Sequence, residues 1–219
     1  MKNLVLALTA FATNLISSSA HGETARDWIE QQTGREGEWI AYGEINFPSG
    51  QIFIGDPSWT DDYHMRGATK IPVDQLQIWM YVSEVSNPKA NRVHTVWLEA
   101  LGTTPKKTTS RIQFGVDSAY FAFGDIRVGP DLTNIGDLKL AGIPNSFEFF
   151  LPHIENYGFV GVSLEVPPSS SPVFAVETKK DGGLEAVWTE DGNGAFSGIL
   201  IDITGRASDG LYLDMLIEP

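Results

Sequence analysis

The residues whose type and placement could do chemistry are mostly carboxylates. Asp56, Asp117 and Asp125 fall at the ends of predicted strands, and three carboxylates converging in one cleft would bind Ca²⁺ or Mg²⁺ or serve as general acid and base. Aspartate also has a plainer use, because in a turn it accepts hydrogen bonds from the turn's own backbone. A second group is Trp59 with Asp61, Asp62 and His64, in a polar stretch whose neighbours Pro57, Ser58 and Thr60 predict a loop. An exposed tryptophan beside two acids and an imidazole would make a contact surface for a partner, or a platform for a sugar ring. His94 alternates with Val96 and Leu98 and reads as a packed strand residue.

Other chemistries are excluded by what is missing. The chain has no cysteine, so thiol nucleophiles, cysteine-ligated zinc, disulfides and lipid attachment through a cysteine are ruled out. No G-x-S-x-G elbow, phosphate-binding P-loop or H-E-x-x-H helix occurs. Ser86-Asn87-Pro88-Lys89 fits S-x-x-K but lacks that motif's companions. Asp191, Asn193 and Asp202 fit three positions of a calcium loop, which fails at Ala195 and at Phe196, where the loop requires glycine. The balance of 28 acids against 15 bases, a net charge of −13, argues against a nucleic-acid partner, whose phosphates need clustered Lys and Arg.

Positioning these residues requires strands. Trp39 to Phe47 and Gln51 to Ile54 flank Pro48-Ser49-Gly50 and predict a first hairpin. Leu76 to Val82 and Arg92 to Leu98 flank Asn87-Pro88. In the first of these runs Leu76, Ile78, Met80 and Val82 share one face and Gln77, Trp79 and Tyr81 the other, both partly covered by their composition. Arg111 to Val116 and Tyr120 to Phe123 predict a pair about Asp117-Ser118. Phe159 to Val166 precedes the run Pro167 to Pro172, read as a surface loop. The tail predicts a meander of Val173 to Thr178, Leu184 to Glu190, Ala195 to Thr204 and Leu211 to Ile217, separated by Asp-Gly turns. Short helices are expected near Thr24 to Gly34 and within Asp131 to Ile154. The fold class is therefore mainly β: a single antiparallel β-rich sandwich or meander domain over 39–219, preceded by a helix and lead-in over 21–38.

Several of these turns recur in a known order. Gly43-Glu44-Ile45, Pro48-Ser49-Gly50 and Gly55-Asp56-Pro57, then Phe114 to Ser118 with Asp125, then Asp191-Gly192-Asn193-Gly194 through Asp202 to Asp214, resemble the domain-of-unknown-function family numbered 4241. The resemblance spans most of the chain after residue 20 and departs at Ala119, where the family has glycine, and at Met215, where it has an aromatic residue. It implies a single β-rich domain and transfers no catalytic residue, since that family has no assigned activity.

The first residues have the layout of a secretory leader. A basic start at Lys2 is followed by an apolar stretch from Leu4 to Ala12 and by Ser18-Ser19-Ala20, whose small residues suit cleavage after Ala20. The apolar stretch is about half of the roughly 20 residues that span a bilayer. Cleavage would remove Lys2 and leave 14 bases against 28 acids, a charge of −14. The expectation is a soluble periplasmic or extracellular protein with no membrane anchor. Two functions follow. One is a non-catalytic binding protein, an inhibitor or immunity-type partner of a basic protein, needing no cofactor. The other is a metal-dependent hydrolase or lyase acting on cell-wall or polysaccharide material, with Asp56, Asp117 and Asp125 as its ligands or acid and base.

Overall fold

Two-residue alternation of apolar and polar or aromatic residues gives the strand Gln75–Ser83 two distinct faces. In Gln75–Ser83, Leu76, Ile78, Met80 and Val82 are fully buried on one side, as a two-residue period requires. The computed structural model describes residues 26–27, 37–56, 65–83, 92–117, 119–127, 159–166, 169–178 and 182–203. These contain eleven strands: β1 Glu38–Asn46, β2 Gln51–Gly55, β3 Met65–Lys70, β4 Gln75–Ser83, β5 Arg92–Glu99, β6 Lys107–Val116, β7 Tyr120–Asp125, β8 Phe159–Val166, β9 Ser169–Glu177, β10 Gly182–Glu190 and β11 Phe196–Asp202.

They form two antiparallel sheets, one of six strands in the order β1-β4-β5-β11-β10-β6 and one of five in the order β3-β2-β7-β9-β8. The inner faces enclose one apolar core. Ile45, Leu76, Ile78, Met80, Val96, Leu98, Phe114, Ile199 and Ile201 come from the larger sheet, and Ile52, Ile54, Phe121, Phe123, Phe174 and Val176 from the smaller. Phe114 meets Phe121 across the gap at 5.7 Å between ring centroids, and Phe123 stacks on Phe174 at 5.6 Å. At Tyr42 the β1–β4 register slips between Ala41 and Gly43. A bulge of this kind re-aims a side chain, and the Tyr42 ring packs edge-on against Phe174 of the other sheet at 5.5 Å. Gly161 of β8 makes room for that contact, since a Cβ there would lie 2.7 Å from the Phe174 ring and 3.2 Å from Tyr42.

The antiparallel β reading holds, as do the β4–β5 pair and the β10–β11 hairpin. Four expected connections need correction. Strands β1 and β2 are not a hairpin, because they belong to different sheets. The turn between them is tight, with the Gly50 N–H donating to the Phe47 carbonyl at 2.8 Å. Its remaining groups bond elsewhere: Phe47 N–H to the Asp74 carbonyl at 3.0 Å, and Ile71 N–H to the Gly50 carbonyl at 2.7 Å. Likewise β6 pairs with β10, while β7 pairs with β2 and β9. Strands β9 and β10 also sit in different sheets, so the tail is not one continuous meander. Finally, Ser169 to Pro172 are strand rather than surface loop, paired with Val166 to Ser163 of β8. The β7 pairing of β9 begins only at Val173, so Pro172 stands where the β7 side demands no N–H from it.

Arg26 and Asp27 are helical. The rest of the expected first helix, the expected helices of 131–154, the last predicted strand of 211–217 and the leader of 1–20 lie outside the described residues. No helix among the described residues is long and apolar enough to cross a membrane.

Candidate functional site

The inner positions of β2 run Ile52, Ile54 and then Asp56, and those of β7 run Phe121, Phe123 and then Asp125. Because the strands are antiparallel, one aspartate closes the apolar row at each end. Ile52 is the partner of Asp125 and Gly55 the partner of Ala122, which separates Asp56 from Asp125 by about four residues of strand, roughly 13 Å. Both are buried. Asp56 Oδ2 accepts the Asp117 N–H at 2.8 Å, where the chain leaves β6 for β7. Asp125 Oδ2 accepts the Ser49 N–H at 2.8 Å, where the chain leaves β1 for β2. Its Oδ1 accepts both the N–H and the Nε–H of Arg127 at 2.9 Å.

Burial pushes the Asp125 carboxyl up, but the Ser49 and Arg127 N–H groups and the Arg127 guanidinium outweigh it and hold it below the ordinary aspartate value. These are clamps: each aspartate of the smaller sheet fixes a crossing that comes from the larger one. The three carboxylates proposed as metal ligands or acid and base are therefore not gathered in one cleft. Among the described residues no group of three or more His, Cys, Asp or Glu is arranged to hold a metal. Trp59, Asp61, Asp62 and His64, the expected contact surface, lie outside the described residues.

The turn segments singled out in the sequence meet two by two in these clamps, Gly55-Asp56 with Asp117 and Ser49 with Asp125. Ala119 has φ of 59°, the left-handed conformation that favours glycine. In the third motif, Asp191 Oδ1 accepts the N–H groups of Asn193 at 2.8 Å and Ala195 at 2.9 Å. Those two donors hold its carboxyl below the usual value. The turn is closed by its own aspartate.

Sequence reasoning missed the outer face of the six-stranded sheet. Register places Ala41, Trp79, Trp97, Leu200, Val187 and Arg111 in one row. The adjacent row is Trp39, Tyr81, Thr95, Asp202, Glu185 and Gln113. Trp97, Val187 and Leu200 form a second buried cluster, with Trp39 and Trp79 against it. Tyr81, Thr95, Asp202 and Glu185 are buried too. His94 stands at the slip between the Tyr81–Thr95 and Val82–Val93 pairs, and its ring lies 6.1 Å from that of Tyr81.

At the β1 end of this face the guanidinium carbon of Arg26 sits 3.7 Å from the centroid of the Trp79 ring. The Trp79 indole N–H donates to Glu99 Oε2 at 2.7 Å and the Trp39 indole N–H to the Arg26 carbonyl at 3.2 Å. Ring face and carboxylate together favour a cation there. The available signal was Trp79 and Tyr81 facing away from the core, which implied cover without saying what lay beneath it.

No protein-family model, curated protein or solved structure matches this chain.

Proposed function

We propose that this chain is an exported, soluble, non-catalytic binding protein whose partner is a basic protein, in the manner of an inhibitor or immunity protein. The observation that carries the reading is the Arg26–Trp79–Glu99 chain of contacts, in which the outer face of the six-stranded sheet already holds a guanidinium over an indole whose N–H donates to a carboxylate. Glu44 and Glu99 flank Gln77 in the neighbouring row, so a partner's arginine or lysine that displaced Arg26 from Trp79 would meet both a ring face and acids. The net charge of −13 would speed the encounter. Export to the periplasm or cell exterior rests on Met1 to Ala20, and membership of family 4241 on the motif order together with the paired clamps.

The hydrolase or lyase reading needs Asp56, Asp117 and Asp125 in one cleft, and the geometry spends two of their carboxylates on backbone N–H groups at opposite ends of β7. The test is affinity capture on the immobilised chain lacking residues 1–20, at low and high salt, with mass spectrometry of what is retained. A basic protein held at low salt, and lost when Trp79→Ala replaces the wild type, supports the reading. Recovery of no partner at either salt, or of one indifferent to Trp79, counts against it.

A further inference from the structure

We propose that Glu185 and Asp202 form a binding site for a hard divalent cation of the calcium type, on the outer face of the six-stranded sheet. The two acids are directly opposite in the β10–β11 pair, with exposures of 4% and 1%. Opposed positions in an antiparallel pair hold their Cβ atoms about 4.5–5.5 Å apart, a span across which two carboxylates can grip one ion at about 2.3–2.6 Å. Like charges so placed repel, and solvent-shielded charges are little screened by salt.

Among the described residues, the cation beside Glu185 is Arg111, 3.4 Å from Oε1 and itself half exposed. The Gln113 amide donates to the same oxygen at 3.2 Å. Oε2 is buried and has no hydrogen-bond partner.

A second observation is independent of the acids. Thr95 flanks Asp202 on its other side in the same row. It is 0% exposed, and its Oγ1 has no partner either. A carboxylate oxygen and a hydroxyl, both buried and unmet on either side of a second carboxylate, make an all-oxygen, negatively charged donor set. Such a set suits Ca²⁺ better than a metal that prefers nitrogen or sulfur. Two carboxylates and a hydroxyl are a sparse set, and the affinity expected is that of weak extracellular modules, about 10⁻⁴ to 10⁻³ M. The site is distinct from the Trp79 surface and does not depend on the binding reading.

The test is titration of the chelator-treated full chain with Tb³⁺, exciting the indoles, since Trp97 stands two residues along β5 from Thr95. Saturable Tb³⁺ emission that Ca²⁺ displaces, with a higher Tm in Ca²⁺ than in chelator, is the expected result. Glu185→Gln and Asp202→Asn should each lose most of the emission and of the Ca²⁺-dependent rise in Tm, whereas Asp191→Asn, in the β10–β11 turn, should keep both. Should either fail to fold, Thr95→Val decides, with an expected severalfold loss of Ca²⁺ affinity. Emission that does not saturate, variants that bind as the wild type does, or a wild-type Tm unmoved by about 10 mM Ca²⁺, well above the expected range, would overturn the proposal.

Discussion

On the inner face of the six-stranded sheet, Ile78 and Met80 of β4 meet Val96 and Leu98 of β5 and Ile199 and Ile201 of β11, with no polar side chain among them. On the outer face the same strands carry Tyr81, Thr95, Trp97 and Asp202, equally hidden from solvent. There the Trp97 indole N–H and the Thr95 hydroxyl have no partner. Burial is the same on the two faces and its chemistry is opposite. An apolar atom gains by leaving water, while an unmet buried polar atom costs about 1–3 kcal/mol. The inner face is accordingly a source of stability, and the outer face carries a cost that a cation or a bound group could offset.

The comparison can be broken by substitution. Phe123→Ala on the inner face, where the ring is fully buried and stacked, is expected to cost about 3–5 kcal/mol in denaturant unfolding. Trp79→Ala on the outer face, half-buried with its ring over Arg26, should cost about 1–2 kcal/mol. Equal losses would mean that the two faces are one kind of core.

Gly198→Ala tests how tightly the outer face is built. Gly198 has φ of 154°, and a Cβ there would meet the Leu98 carbonyl and lie 2.5 Å from the Trp97 indole. A loss of about 2–4 kcal/mol is expected from strain and overpacking together, with a change in the fluorescence of Trp97. A neutral result would show the Trp97 ring free to move aside.

Asp125→Asn should cost about 1–2 kcal/mol at neutral pH, for the weakened charge-assisted bonds to Ser49 and Arg127. Because the folded carboxyl is held below its ordinary value, its contribution is present above about pH 4 and is lost as pH falls through the folded value. Thermal melts should therefore show the wild type and the variant converging below about pH 4. A gap that persists into acid would separate the clamp from its charge.

The smallest effect has the opposite sign. Ala119→Gly, at φ of 59°, should raise stability by about 0.5–1 kcal/mol, the relief of left-handed strain less the entropy that glycine adds to the unfolded chain.

Strand positions were legible in the sequence because alternation is local. Leu76 to Val82 and the Asp191 to Gly194 turn fold as their residues predict. Sheet membership was not legible. Pro48-Ser49-Gly50 has the same turn chemistry whether the next strand pairs back or crosses over, and the crossing is held by distant partners, among them Asp125, 76 residues from Ser49. For the candidate site, Asp56 and Asp125 were recognisable as strand-end aspartates, but not the separation that keeps them apart. Glu185, between Leu184 and Ala186, and Asp202, between Ile201 and Ile203, had the alternation of solvent-facing residues. That they face each other follows from the register of β10 against β11, which no single stretch of sequence contains.

The chain passes between the sheets four times, after β1, β3, β6 and β9. Neither sheet can therefore be completed until distant segments have met: β2 finds β7 and β6 finds β10 only after long intervening loops have closed. That closure entropy is lost before the pairings repay it. Folding should fall in the millisecond-to-second regime of non-local β topologies, with the half-built sheets presenting open edges to other chains in the meantime.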